Sequence, residues 1–352
     1  MRFDDHVPSP CRLEFRRYRL PFRAPVRTAH GRWAEREGLL VRVEREDGSV
    51  GLGEAAPVPG FAGADIEETE AAVRALGGRV TDGSVESLPP RLNCLRAALR
   101  SARAESPLAP AETVPAYLGV AALLPAGRAA LAELPARLEA GFRVFKWKVG
   151  VEDVSDELSL LDDLCGALPA GARLRLDANG AWDRRRAERW LERCAERPIE
   201  HVEQPCLPGA GASESERRRN DDLLLGLAND FPTPVALDES LAGDADVSRW
   251  LALGWPGVFV LKPALLGEPE TSLAELRKRQ AKVVFSSALE TAVGARSALR
   301  LAFRWGGEAR ALGFGVWPLF ADARFDGPRT APFVRREDVE AINPEAAWNA
   351  LS

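Results

Sequence analysis

Residues 173–205 read RLRLDANGAWDRRRAERWLERCAERPIEHVEQP. The segment opens with an alternating run that ends at Asp177 and turns at Asn179-Gly180. A helix-sized stretch follows, and a second run then ends at Glu203-Gln204-Pro205. A helix-sized connection between two such runs is a βα unit, and repeated βα units favour a parallel sheet.

The same grammar extends outward in both directions. Short apolar runs occur at VPAYLGVA (114–121), RVFKWKVG (143–150), PVALDES (234–240), GVFVLKP (257–263), KVVFSSALE (282–290) and ALGFG (311–315). With the two runs above they make eight strand candidates, mostly separated by helix-sized segments. Eight βα units favour a closed barrel. A doubly wound sheet is the competing arrangement, but no GxGxxG follows the first run and no GxxxxGK occurs anywhere. GAGASESERRRNDD (209–222) is polar and reads as an exposed excursion.

The first third follows a different rule. Residues 11–56 read as β, and LLVRVEREDGSVGLGEA (39–55) alternates on both sides of Asp47-Gly48, a strong hairpin signal. Residues 65–77 predict a helix capped by Asp65, with Glu68 three later and Gly77 at its end; a second helix is predicted over 90–105, with Leu92, Leu95 and Leu99 at helical spacing. The expected organisation is an α+β module over 1–112, a barrel over 113–320, and a C-terminal segment, 321–352, that leaves the βα rhythm and returns to the first module.

Composition narrows the function classes. The 352 residues are 46% hydrophobic and 28% charged, ordinary for a soluble protein able to bury a large core. The net charge of −5 leaves no basic footprint for nucleic acid. No apolar run is long enough to span a bilayer, and the acidic N-terminal stretch is unlike a secretory signal. Five scattered cysteines without a CxxC argue against a disulfide framework and fit a reducing cytoplasm. With only three histidines, His6, His30 and His201, acid–base chemistry falls to lysines and carboxylates.

Those groups sit at the ends of the strand candidates: Lys146 and Lys148, then Asp177 and Asn179, Glu203, Asp238 and Glu239, and Lys262. C-terminal strand ends of a βα barrel converge on one mouth. Lys146 and Lys148 are two apart and face the same way, with Trp147 opposite. Asp177, Glu203 and Asp238 recur at about one βα unit and would face one point. Three converging carboxylates repel one another unless a cation lies between them, and all-oxygen ligation suits Mg²⁺. Lysines on both sides of such a site serve proton removal next to a substrate carboxylate, with Lys148 as base, its proton affinity lowered by Lys146. Any one strand-end acid is ordinarily a cap or turn residue, and an isolated KxK is ordinarily a solvated strand edge; five such events on successive strands are not explained that way. His201, two before Glu203, reads as a core histidine. Arg175 and Asn179 flank Asp177, and Glu239 points away from Asp238 on an ideal strand; all three read as supports for the ligand carboxylates.

KWK at 146–148, LDANGAW at 176–182, VEQP at 202–205, LDES at 237–240 and LKP at 261–263 together resemble the enolase superfamily, and within it the muconate-lactonising subgroup, across nearly the whole chain. The resemblance implies a modified (β/α)₇β TIM barrel under an N-terminal α+β capping domain that the C-terminal segment completes. GEAAPVPGF (53–61), KPALLG (262–267) and SSALET (286–291) are similar to the narrower o-succinylbenzoate synthase family. That resemblance implies a Mg²⁺-dependent hydro-lyase of quinone biosynthesis with Asp177, Glu203 and Asp238 as metal ligands. It further implies Lys148 as base and then acid in a syn elimination, and Lys262 as the charge that stabilises the enediolate. Lys146, Ser286 and Ser287 would help hold a small carboxylate substrate. Loops at 313–317, 22–33 and 57–61 would close the pocket. An N-acylamino-acid racemase or a cycloisomerase of the same superfamily stays open, since two opposed lysines suit racemisation. The stretch GFGVWPLFADARF (313–325) lacks the DxD of dipeptide epimerases, and no His–Asp dyad occurs on the seventh strand. A barrel that only binds a ligand is disfavoured, because unused buried charges are costly.

Overall fold

The computed structural model describes residues 10–28, 31–104, 114–209 and 211–351. The chain begins with β1 (Cys11–Thr28), β2 (Gly31–Glu44) and β3 (Val50–Ala55), followed by α1 (Ile66–Ala75), β4 (Arg79–Val80), α2 (Asp82–Glu86) and α3 (Asn93–Arg103). The strands form an antiparallel sheet in the order β3-β2-β1-β4. The predicted hairpin joins β2 to β3, with Gly48 at φ 78° and the Asp47 carboxylate accepting from the Ser49 amide at 2.8 Å. Asp65 caps α1 by accepting from the Glu68 amide. One face of this sheet buries Leu39, Val41 and Val43 against Leu95 and Leu99 of α3.

The second part alternates strand and helix: β5 (Tyr117–Gly119), β6 (Ala122–Leu124), α4 (Ala129–Glu139), β7 (Val144–Lys148), α5 (Val154–Ala167), β8 (Arg173–Asp177), α6 (Arg184–Cys194), β9 (Ile199–Glu203), α7 (Glu214–Asp230), β10 (Val235–Leu237), α8 (Asp244–Ala252), β11 (Val258–Leu261), α9 (Pro269–Lys278), β12 (Lys282–Phe285) and α10 (Ala292–Phe303). Seven strands, β6 to β12, lie side by side in sequence order, and their paired neighbours run parallel. Alternation orients β7: Trp147 is fully buried and meets Trp190 of α6 behind the sheet, while Lys146 and Lys148 occupy the other face.

Three local expectations change. The run at 114–121 supplies β5, which pairs with β13 (Phe333–Arg335) rather than with the barrel, and the barrel strand is the next stretch, β6. The run at 311–315 forms only single bridges, Val120 to Leu312 and Ser286 to Gly313, and these close the gap between the two edges of the seven-stranded sheet. Within 209–222, residues 214–222 are the first turns of α7. Ser213 and Glu216 form a reciprocal capping box there, so the polar stretch is a solvated helix face.

After the barrel come β13, α11 (Arg336–Glu340) and α12 (Pro344–Ala350). The tail touches β1: the Arg16 guanidinium donates to the Trp348 carbonyl at 2.6 Å and lies over its ring, and Phe22 bridges Phe320. All five cysteines are free thiols. No helix among the described residues is long and apolar enough to cross a membrane.

Candidate active site

Register brings the strand ends level. Lys148 pairs with Asp177, Asp177 with Glu203, and Ala236 with Glu203, so Asp238 emerges two residues beyond the neighbouring carboxylate. The ends carrying Lys148, Asp177 and Asp238 open into a cavity of about 560 Å³, while Glu203 is buried against Lys146 rather than on the cavity wall. Barrel side chains on its wall include Lys146, Lys148, Asp177, Asn179, Asp238, Glu239, Lys262, Ser286 and Ser287, and Gly313 and Val316 come from the last loop. The cap contributes Trp33, Val58, Pro59 and Phe61. The expected loops 57–61 and 313–317 thus both reach the pocket, whereas the described residues of 22–33 belong to β1 and β2 and reach it only through Trp33; residues 29 and 30 lie outside the described residues. The wall is polar at the barrel floor and apolar toward the cap, as suits a small molecule with a carboxylate at one end.

Ammonium groups neutralise the carboxylates. Lys146 Nζ lies 2.8 Å from Asp177 Oδ2 and 2.6 Å from Glu203 Oε1, and Lys262 Nζ contacts Asp238 Oδ1. Among the described residues no three His, Cys, Asp or Glu side chains form a closed ligand group. The donor set nevertheless suits a hard divalent cation. It offers three carboxylates on adjacent strand ends, where repulsion must be relieved by positive charge.

Burial and neighbouring charge set the proton affinities. For Lys146, burial disfavours the ammonium, but Asp177, Glu203 and Asp238 outweigh it and raise the pKa. Lys148 goes the other way. Burial lowers its pKa, Asp177 and Glu239 oppose the change, and Lys146 contributes a smaller push in the same direction as burial. The predicted effect of Lys146 is therefore present but secondary. Among the described residues Lys148 has no ion-pair partner, in contrast to Lys146 and Lys262. Burial raises the Asp238 carboxyl well above the usual range, with Lys262 opposing and Glu239 and Glu203 adding to it. Burial also works to raise Glu203, but Lys146 and then His201 overcome it and the carboxyl is held low.

The supporting residues are placed as follows. Asn179, at φ 44°, donates from Nδ2 to Glu239 Oε1 at 3.0 Å. Glu239 lines the cavity beside Asp238, because β10 stops at Leu237 and strand alternation no longer applies. Arg175 pairs with Glu200 through two hydrogen bonds, at 2.8 and 3.2 Å, and not with the candidate ligands Asp177, Glu203 and Asp238. His201 is fully buried, with Nε2 3.9 Å from Glu203 Oε2, and burial lowers its pKa. Ser287 donates its hydroxyl to Glu290 Oε2 at 2.7 Å, while Ser286 lies 3.5 Å from the Gly313 carbonyl.

Gln204 is not among the residues expected at the site, and Phe61 is expected there only as part of the 57–61 loop. Gln204, at φ 38°, accepts from the Asp238 and Ser240 amides at 3.0 and 3.1 Å and donates to Ser240 Oγ and the Cys206 carbonyl. It thereby joins the ends of β9 and β10. Phe61 of the cap covers Lys262, whose ammonium lies 4.6 Å from the ring centroid. Gln204 has a local sequence signal, a polar residue between the strand-end carboxylate of Glu203 and a proline; Phe61 lies in the 57–61 loop expected to close the pocket, but nothing local pairs it with Lys262.

Comparison with known proteins assigns the family. Residues 129–300 match the family described as enolase C-terminal domain-like, and residues 12–100 match the MenC N-terminal domain. The o-succinylbenzoate synthase of Thermosynechococcus vestitus is 39% identical over 310 residues, covering 87% of this chain and 92% of the relative. The chain belongs to the o-succinylbenzoate synthase family. A second member, from Edwardsiella ictaluri, is 30% identical over 305 residues, covering 81% of this chain and 84% of its own. The solved o-succinylbenzoate synthase of Thermosynechococcus elongatus, which holds Mg in its active site, superposes with a TM-score of 0.79 at 36% identity, covering 96% of this chain and 99% of that one. The L-Ala-D/L-Glu epimerase of Bacillus subtilis, 21% identical with a TM-score of 0.77 and covering 92% and 95% of the two chains, shares the fold.

Proposed function

We propose that this member of the o-succinylbenzoate synthase family dehydrates 2-succinyl-6-hydroxy-2,4-cyclohexadiene-1-carboxylate to 2-succinylbenzoate, with Lys148 as the proton-transferring group. One observation carries the assignment of the base. Of three lysines at the mouth, Lys148 alone combines a lowered proton affinity with the absence of an ion-pair partner among the described residues. A lysine must be neutral to accept a proton, and burial favours that form.

Asp177, Glu203 and Asp238 are the residues that would hold Mg²⁺, which when bound supplies positive charge to the substrate carboxylate. Neutral Lys148 takes the proton from the carbon that bears this carboxylate. The resulting ammonium then donates the proton to the departing hydroxyl on the same face. A C–H and a C–O bond break, the ring becomes aromatic and water leaves. Lys262 stays cationic and balances the growing negative charge from across the cavity, where Phe61 shields it from solvent. Lys146 keeps Asp177 and Glu203 from repelling each other. Ser286 and the apolar cap residues hold the succinyl arm. We place the reaction in the cytoplasm, a reducing compartment that suits the five free thiols of the chain.

The test compares kcat/KM for dehydration with that for racemisation of N-succinyl amino acids by the same Mg²⁺-loaded protein. Dehydration should dominate, with at most slow α-deuterium exchange into the amino-acid derivatives in D₂O. Racemisation needs Lys148 and Lys262 to alternate between acid and base; fast racemisation with negligible dehydration would replace this assignment.

A further inference from the structure

The cap meets the barrel through more than its lid loop. Glu54 of β3 is buried and reaches the N-terminus of α10. Its carboxylate accepts from the Thr291 amide at 2.9 and 3.0 Å, from the Gly294 amide at 3.0 Å and from the Thr291 hydroxyl. Tyr18 of β1 donates to its other side at 2.5 Å. A carboxylate at this point satisfies amides that a helix leaves unpaired and complements its dipole. Here it comes from another part of the fold. Gly294 permits the approach: a Cβ at that position would stand 2.9 Å from Glu54 Oε2.

Arg36 of β2 holds the other end of the same loop. Its guanidinium, buried like Glu54, donates to the Ala288 and Leu289 carbonyls at 3.3 Å and to the Ala56 and Pro57 carbonyls at 2.6 Å. One side chain thus grips the loop that follows β12 and the root of the cap's lid loop. Between the two anchors Leu289 is held at φ 59°, a conformation that a branched apolar residue adopts only when its surroundings impose it. Leu289 and Ser286 to Ala288 line the cavity.

We propose that Glu54 and Arg36 are positioning residues: the cap sets substrate affinity by clamping the 286–291 loop into its strained shape, in addition to covering the pocket. The inference rests on the dehydration reading for its substrate, and the clamp itself can be read without turnover. Lys148, Lys262 and the three carboxylates stand on other strands and do not depend on it.

The experiment measures steady-state dehydration, Mg²⁺ affinity and amide hydrogen exchange across 287–295 in the full-length protein. Glu54→Ala leaves two amides and two hydroxyls, those of Thr291 and Tyr18, without a buried acceptor, an omission large enough to raise KM and to speed local exchange by about tenfold or more. The turnover number and Mg²⁺ affinity should stay within about threefold. Glu54→Gln should recover most of the loss, since its amide oxygen can accept from Thr291 and Gly294 while its NH₂ faces the Tyr18 oxygen. Arg36→Lys, which keeps the charge but not the planar fork, should shift KM in the same direction. If Glu54→Ala does not fold, Glu54→Gln and Arg36→Lys carry the test through their KM and exchange. Unchanged KM and exchange in folded variants would overturn the proposal. So would a parallel fall in turnover, substrate affinity and Mg²⁺ affinity, which would mark a role in stability only. A parent protein with no dehydration activity would remove the substrate assignment, and the exchange data would then decide the clamp alone.

Discussion

Phe61 lies over Lys262, ring centroid 4.6 Å from the ammonium, and so joins the cap to a lysine on the opposite wall from Lys148. The contact favours a charged Lys262 through the ring's negative face. Partly desolvated contacts of this kind are worth about 0.5–2 kcal/mol. Phe61→Leu keeps the apolar cover and removes that face. We expect kcat/KM for dehydration to fall about two- to thirtyfold, with Mg²⁺ affinity unchanged. Parent-like kinetics would show that Phe61 is cover alone.

The lysines should separate on substitution. Lys148→Arg keeps the positive charge but cannot lose its proton near neutral pH, so dehydration should fall by several orders of magnitude while substrate binding largely survives. Lys262→Arg keeps what Lys262 contributes and should retain more activity. Single-turnover rates with equilibrium binding distinguish the two, and the opposite ranking would move the base to Lys262.

Asp177→Asn, Glu203→Gln and Asp238→Asn should each weaken Mg²⁺ binding, measured by calorimetry, and reduce turnover by orders of magnitude, because an amide cannot offset the ion's charge. The fold should persist in each. Chelation should abolish turnover of the parent, and added Mg²⁺ should restore it. A variant with full activity and unchanged Mg²⁺ affinity would remove that residue from the ligand set.

Glu290 offers a pH test away from the carboxylate cluster. Burial raises its pKa to about 7, against the Ser287 hydroxyl and nearby backbone N–H groups that favour the anion, with Glu54 adding to the rise. The folded state therefore binds this proton more tightly than the unfolded chain. The stability it contributes is complete below the usual glutamate value and is lost as pH rises through about 7. Each tenfold change in proton affinity is worth about 1.4 kcal/mol. Glu290→Gln, which can still accept from Ser287, should match the parent near pH 4 and become increasingly more stable up to about pH 7, levelling off above. Denaturant unfolding across this range measures the difference; a constant gap at all pH values would show that folding does not raise the Glu290 pKa.

What could be read from the linear chain was what repeats at short range. Apolar alternation and helix-sized spacing gave away the βα units, and Asp47-Gly48 and Asp65 marked a turn and a cap, because dihedral preference and local hydrogen bonding decide those features within a few residues. The lysines and acids were legible for the same reason: each follows an apolar strand, and strands of one barrel share a mouth. Alternation lost its authority where strands end, so Glu239 came to line the cavity beside Asp238. At 311–315 pairing depended on two distant edges, Val120 and Ser286, that no local pattern reveals. Arg175 found Glu200, and Glu54 and Arg36 found the loop before α10, more than 230 residues away. The Glu54 and Arg36 contacts exist only once the cap docks on the barrel, and the Arg175 pair only once β8 and β9 lie side by side. A buried charge takes whichever compensating partner the packing brings near, and packing is a property of the folded chain.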